Sequence, residues 1–270
     1  MKAAVLGSPI AHSLSPVLHR AAYQALGLDG WSYEAIECDE ARLPGLLAGC
    51  GPEWAGLSLT MPLKRAVLPL LDRADPLAVA VGGANTVVLH GGRRHGYNTD
   101  VPGLIAALAE AGVTAPGPVL ILGAGATACS ALAAMRELGA DKVTVAARDP
   151  ARAGELLAAA DRLAVAVALT PLAEAASERP GLLISTVPAG AADFLAARWA
   201  AQGEAPPQVV DVIYAPWPTA LAAAAAAAGS VVVGGYAMLL HQAARQVELM
   251  TGQAAPVAAM RAAGLAALGR

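Results

Sequence analysis

The sequence predicts an α/β protein made of two α/β domains. Three observations lead there: a length of 270 residues, short β-like apolar runs alternating with longer helical ones, and a second start of that alternation at Pro118. At roughly 100–200 residues per domain, such a chain holds one large domain or two ordinary ones. Hydrophobic residues make up 56% of it, ample for buried cores. Strands alternating with helices stack as α/β layers.

The first series begins with a strand at Lys2–Leu6, then a helix from Leu14 to Leu26 that stops at Gly27. Trp31–Ile36 reads as a strand, Glu40–Leu47 as a helix, and Gly56–Leu59 as a strand with a helix after Pro62. Ala84–Leu89 and Arg94–Tyr97 form a strand pair joined by the Gly91-Gly92 turn. The second series opens with the strand Val119–Leu122 and a helix to about Leu138, closed by Gly139. Strands at Lys142–Ala147, Leu163–Leu169, Leu182–Thr186, Val209–Ile213 and Ser230–Val233 follow, with helices between them. This is a doubly wound nucleotide-binding pattern. After Gly234-Gly235 the chain is helical, and these C-terminal helices are expected to pack back on the first domain. The expected division is therefore 1–101 with 235–270, around an inserted domain at 102–234.

Charge excludes several functions. With 18 basic and 21 acidic residues the net charge is −3, which argues against a nucleic-acid or anionic-membrane surface. Cys38, Cys50 and Cys129 have no metal-ligand spacing, so no metal is expected and a reduced compartment fits best. The apolar stretch after Met1 is shorter than the roughly 7–15 residues of a signal-peptide core, which makes a cytoplasmic location the expectation. Two uncharged runs, Ala115–Met135 and Val212–Leu240, are broken by Pro116-Gly117-Pro118, Gly123, Gly125, Pro216, Pro218 and Gly234-Gly235, so neither reads as a membrane span. Of the 18 basic residues only Lys2, Lys64 and Lys142 are lysine. A lysine inside a motif therefore stands out.

Val119 to Ala128 has the form strand, GxGxxA, helix: Gly123, Ala124, Gly125, Ala126 and Thr127 make the turn. The first glycine permits a tight turn, the second lets the backbone approach a pyrophosphate, and the helix N-terminus offers free N–H groups to phosphate. The next strand ends in Ala147-Arg148-Asp149, with Arg152 one turn beyond. Bidentate arginine pairing favours a 2′-phosphate, hence NADP. Asp149 leaves NAD open, since it could contact ribose hydroxyls or simply cap the next helix.

Outside the nucleotide unit, four polar clusters lie at strand boundaries: Ser8 to Pro16, Leu57 to Lys64, Gly83-Ala84-Asn85-Thr86, and Tyr97-Asn98-Thr99-Asp100. Singly each reads as a turn or a cap. Together, GSPIAHSLSP, LTMPLK, GANT, NTD, GAGATA, ARD, DVIYAPWPT and GYAMLLHQA, in that order, resemble the shikimate dehydrogenase family over nearly the whole chain. The resemblance implies a substrate domain followed by a Rossmann-type NADP-binding domain, and the NADPH-linked reduction of 3-dehydroshikimate to shikimate in aromatic amino-acid biosynthesis. It implies that Lys64 and Asp100 form the catalytic pair. Ser13 and Ser15 would hold the substrate carboxylate, with Tyr214 and assistance from Thr60. Asn85, Asp100 and Gln242 would read the ring hydroxyls. Gly235 and Met238 would line the nicotinamide pocket, and Thr186 and Val212 complete the expected cofactor set. The partners implied are small molecules alone, on a monomer or homodimer. The chain departs from the family in four places. Ser58 stands where many members carry asparagine, Asp149 alters a familiar Asn-Arg-Thr to Ala-Arg-Asp, and Ala126 and Val101 each replace a frequent glycine. Two other readings stay open: an NAD-preferring quinate/shikimate dehydrogenase, and a non-catalytic nucleotide sensor on the same fold. The histidines His12, His19, His90, His95 and His241 are read as surface or helix residues without assigned chemistry.

Overall fold

The computed structural model describes residues 1–113 and 117–270, so Pro116, one of the residues expected to interrupt the first uncharged run, lies outside the described residues. The chain divides into two compact units, Met1–Gly103 with Leu239–Arg270, and Leu104–Met238.

The first unit contains β1 (Lys2–Gly7), α1 (Ser15–Ala25), β2 (Ser32–Glu37), α2 (Leu43–Ala48), β3 (Trp54–Leu59), α3 (Leu63–Ala66), β4 (Arg73–Ala74), α4 (Pro76–Val81), β5 (Thr86–His90) and β6 (Arg93–Tyr97). Helix α5 (Asp100–Glu110) begins in it. Its sheet has the order β2-β1-β3-β5-β6-β4. β1 pairs parallel with β2 and β3, and β5 pairs antiparallel with β3 and β6. The β5–β6 hairpin turns through Gly91 and Gly92, at φ of 58° and 74°. A two-residue turn with both φ positive matches the twist of the flanking strands. Alternation along β1 builds two cores: Ala4 and Leu6 join Leu57, Leu59 and Leu63 on one face, while Ala3 and Val5 join Tyr23, Tyr33, Ala55 and Met250 on the other. Of the C-terminal helices α10 (Gly235–Thr251) and α11 (Val257–Ala267), α10 supplies Met250 to this second core and α11 packs on α1.

The second unit contains β7 (Val119–Leu122), α6 (Ala126–Glu137), β8 (Lys142–Ala147), α7 (Gly154–Leu163), β9 (Ala166–Pro171), β10 (Leu182–Ser185), α8 (Asp193–Gln202), β11 (Gln208–Asp211), α9 (Ala220–Ala227) and β12 (Val231–Gly234). All the pairings of its sheet are parallel, in the order β12-β11-β10-β7-β8-β9. Leu120 and Leu122 of β7 pack with Leu195 of α8 and Leu221 of α9, while Val119 and Ile121, on the opposite face, are equally buried. Burial on both faces is the habit of a doubly wound sheet.

Three expectations shift. The strand expected at Leu163–Leu169 begins only at Ala166, because α7 runs on to Leu163 and stops at Ala164, left-handed at φ 53° without a glycine to announce it. The helix expected from Glu40 begins at Leu43, where Pro44 sits in the first turn, the one place a helix tolerates its missing N–H. His19 is on a helix as read, but it is fully buried rather than at the surface. Among the described residues no helix is long and apolar enough to cross a membrane.

Candidate active site

Lys64 lies on α3, directly after the turn that follows β3. The Leu63 N–H bonds the Thr60 carbonyl at 2.8 Å within the turn, the Thr60 N–H bonds the Leu6 carbonyl of β1 at 2.9 Å, and the Ala84 N–H bonds the Lys64 carbonyl at 2.8 Å, so the turn is tied to β1 and to the segment before β5. Its ammonium donates to Asp100 Oδ2 at 2.6 Å, with side-chain exposures of 15% and 7%. Asp100 opens α5. Asn98, two residues earlier, accepts the Val101 N–H and donates to the Gly83 carbonyl, which holds the start of that helix against the Gly83–Thr86 segment.

Asn85 supports the other side of the carboxylate. Its Nδ2 donates to Asp100 Oδ1 at 2.8 Å and to Thr99 Oγ1 at 2.9 Å, with Gln242 Oε1 at 3.3 Å. Its Oδ1 accepts the Thr99 N–H at 2.7 Å and the Thr86 hydroxyl at 3.0 Å. Gln242 on α10 is steadied by its own donation to Leu239 O. Gly103 makes this possible, since a Cβ there would lie 2.8 Å from both Cβ and N of Gln242. Four of the expected residues, Lys64, Asn85, Asp100 and Gln242, thus form one hydrogen-bonded cluster.

The remaining expected substrate residues show other contacts. Ser13 accepts the Ser15 N–H at 3.3 Å where α1 begins, and Ser15 is buried. Thr60 follows β3, its N–H on the Leu6 carbonyl. Tyr214 belongs to the second unit.

A second layer of buried polar groups was not anticipated. Tyr33 donates to Ser58 Oγ at 2.6 Å, Ser58 donates to Gln246 Oε1 at 2.8 Å, and His19 Nε2 lies 3.2 Å from the same oxygen. His19 stacks on Tyr33 with ring centroids 3.9 Å apart. Burial drives its pKa down to about 3 despite the opposing hydrogen bond to Gln246 Oε1, and burial pushes the Tyr33 phenol well above its ordinary value. One signal could have found Gln246: it sits four residues after Gln242, on the same helix face.

In the second unit the expected cofactor residues cluster at the carboxyl ends of β7, β8, β10, β11 and β12. Gly123 takes φ 102°, and a Cβ on it would meet Thr186 Oγ1 at 2.6 Å, so glycine is obligatory there. Gly125 starts α6 with nothing within 4 Å of a would-be Cβ and with no side chain capping the helix. Uncapped N–H groups beside open space fit a pyrophosphate at Gly123 to Thr127. β7 and β10, adjacent in the sheet, flank its topological switch point, where such ligands bind. Val212 and Gly235 pack so closely that a Cβ at Gly235 would be 2.0 Å from the Val212 carbonyl oxygen. Met238 is buried, and Arg148 and Arg152 are exposed after Ala147. Asp149 takes the capping role, accepting the Ala151 N–H at 3.2 Å. Asp211 holds the following loop: it accepts the Thr219 hydroxyl at 2.6 Å and the Ile213 N–H, and burial raises its pKa against both bonds. A cavity of about 430 Å³ at the amino ends of β7 and β10, floored by Leu120, Leu183 and Trp199, contains none of the expected residues.

Known proteins resemble this chain in sequence and in fold. Residues 5–87 match the model of the shikimate dehydrogenase substrate binding domain, and residues 235–263 that of the shikimate 5'-dehydrogenase C-terminal domain. A Thermus thermophilus protein named shikimate dehydrogenase (NADP(+)) is 39% identical, over 100% of this chain and 99% of its own. The crystal structure of Mycobacterium tuberculosis shikimate dehydrogenase superposes with a TM-score of 0.87 at 46% identity, covering 98% of this chain and 99% of that one. A Thermus thermophilus shikimate 5-dehydrogenase crystallised in complex with NADP(H) and shikimate gives 0.85 at 36% identity over 99% and 100%. Related along its full length, in sequence and in fold alike, this chain belongs to the shikimate dehydrogenase family.

Proposed function

We propose that this chain catalyses the reversible NADPH-dependent reduction of 3-dehydroshikimate to shikimate. The observation that supports it most is the Lys64–Asp100 pair, bedded on Asn85 and Gln242. NADPH, when bound, supplies the hydride that reduces the ketone carbon. The ketone oxygen then needs a proton. Lys64 commits one of its three N–H bonds to Asp100 and keeps two for that oxygen, so it donates the proton and stabilises the developing alkoxide. Arginine at this position could not cycle a proton. Asp100 orients the ammonium and, through its remaining lone pairs, accepts from a ring hydroxyl, while Asn85 and Gln242 read the neighbouring hydroxyls. A site whose buried polar groups lose partners when a hydroxyl is missing rejects such analogues strongly. Ser13 and Ser15 hold the substrate carboxylate, with Tyr214 and Thr60 assisting.

The cofactor is held by Gly123, Ala124, Gly125, Ala126 and Thr127 at its pyrophosphate, by Arg148 and Arg152 at the 2′-phosphate, with Ala147, Asp149, Thr186, Val212, Gly235 and Met238 lining the rest. In this reading 1–101 with 235–270 carries substrate, 102–234 carries NADP, and the enzyme is a cytoplasmic monomer or homodimer. Initial rates on shikimate and quinate, each with NADP and NAD, test the assignment. Shikimate with NADP is expected to be fastest. Faster turnover of quinate with NAD overturns it in favour of a quinate dehydrogenase, and NADPH binding without turnover overturns it in favour of a sensor.

A further inference from the structure

We propose that Gln246 and Thr86 are positioning residues, which fix the Lys64–Asp100 pair through Asn85 without touching either member. The proposal rests on the dehydrogenase reading above.

Gln246 is buried, and both ends of its amide are committed. Its Nε2 donates to Thr86 Oγ1 at 3.1 Å and to the Asn85 carbonyl at 3.3 Å. A carbonyl oxygen only accepts, so the NH₂ end must face it, and Oε1 must face Ser58 and His19. His19 Nε2 therefore carries the ring proton. Nδ1, which has no hydrogen-bond partner, is then the bare acceptor.

The sense of donation propagates from there. Thr86 Oγ1 receives a hydrogen from Gln246 and gives its own to Asn85 Oδ1 at 3.0 Å, the shorter of its two other contacts, Thr99 Oγ1 lying at 3.4 Å. Together with the Thr99 N–H, this pins the Asn85 oxygen and turns Nδ2 toward Asp100 Oδ1. The carboxylate then has one defined orientation, with Oδ2 on Lys64. Reversing the Asn85 amide would set its oxygen against Asp100 Oδ1, freeing the carboxylate and with it the aim of the ammonium. Small misplacements of a proton donor cost rate far more than they cost binding.

Three variants of the full chain test this: Thr86→Val, which keeps the volume and removes the hydroxyl; Thr86→Ser, which keeps the hydroxyl; and Gln246→Met. Each is assayed with 3-dehydroshikimate and NADPH, alongside its thermal midpoint. Thr86→Val and Gln246→Met are expected to lower kcat about 5- to 50-fold with KM within about 3-fold, and Thr86→Ser to stay within about 2-fold of the parent. A kcat within about 2-fold of the parent in folded Thr86→Val overturns the proposal, even if its midpoint falls, because that is a structural role alone. Equal losses in Thr86→Ser and Thr86→Val also overturn it. If Gln246→Met does not fold, the two Thr86 variants decide. If the parent itself turns over nothing, the functional reading fails. The positioning is then read from the NMR signals of the Asn85 side-chain amide, which Thr86→Val is expected to shift and Thr86→Ser to preserve; unchanged signals in Thr86→Val overturn it.

Discussion

The two units build their functional surfaces in opposite ways. The parallel sheet of the second unit works by leaving side chains out: Gly123, Gly125 and Gly235 stand where a Cβ would collide or would fill open space. The mixed sheet of the first unit works by putting polar side chains in, with Ser58, Asn85, Thr86, Thr99, Asp100, Gln242 and Gln246 all buried. A cradle of backbone N–H groups needs only room and the right φ. A buried cluster needs every donor matched to an acceptor, because each orphan costs about 1–3 kcal/mol. Tolerance to substitution should therefore differ in kind between the two.

The largest effect is expected at Lys64. Lys64→Ala should cut kcat by about 10²- to 10⁴-fold with a modest change in substrate KM, measured by steady-state kinetics with 3-dehydroshikimate. Near-full turnover would remove Lys64 from the chemistry. Next comes His19, neutral in the fold down to pH near 3 while the unfolded residue titrates at 6.5. The unfolded chain binds the extra proton between those values, so stability is complete above pH 6.5 and is lost progressively as pH falls toward 3. Between pH of about 7 and about 4 the parent should lose about 3 kcal/mol that a His19→Leu variant does not. Urea unfolding at each pH reads the difference, and parallel profiles would refute it. In the glycine-built unit, Gly235→Ala should cost about 2 kcal/mol by forcing the Val212 backbone aside. It should also weaken NADPH binding, which calorimetry and a fluorescence titration would read; an unperturbed midpoint would show that the contact relaxes freely. The smallest effect belongs to Arg148→Ala, expected to raise KM for NADP about tenfold and to leave KM for NAD nearly unchanged. Equal changes for both cofactors would take the 2′-phosphate away from Arg148.

The same contrast explains what the sequence made legible. The glycine cradle is local: five consecutive residues between a strand and a helix carry it, and their spacing is visible without any fold. The side-chain cluster draws on β3, α3, β5, α5 and α10, and Lys64 and Gln242 stand 178 residues apart in the chain. Only a family resemblance drew attention to Lys64, Asn85, Asp100 and Gln242 together. Gln246, Tyr33 and His19 escaped, because a polar residue on a strand or a helix gives no sign of which face will be buried until the sheet is assembled. Helix α4 also went unremarked, although Asp75 before Pro76 and Gly82 after Val81 mark both its ends. The late start of β9 had no such marker, since an alanine makes the left-handed stop.

Asp149 bears on how this enzyme's cofactor preference could change. Its carboxylate is engaged with the Ala151 N–H and starts the Pro150–Arg152 turn. If Arg148 clamps the 2′-phosphate as proposed, removing its guanidinium alone would weaken NADP, while Asp149 keeps Oδ1 on the backbone and has Oδ2 left for a ribose hydroxyl. A lineage moving toward NAD would have to discard that proposed clamp and turn the Asp149 carboxylate toward the ribose without losing the cap. The proposed clamp and the cap at Asp149 thus share one short loop, so a change of cofactor preference and a change in the start of the Pro150–Arg152 turn would come together.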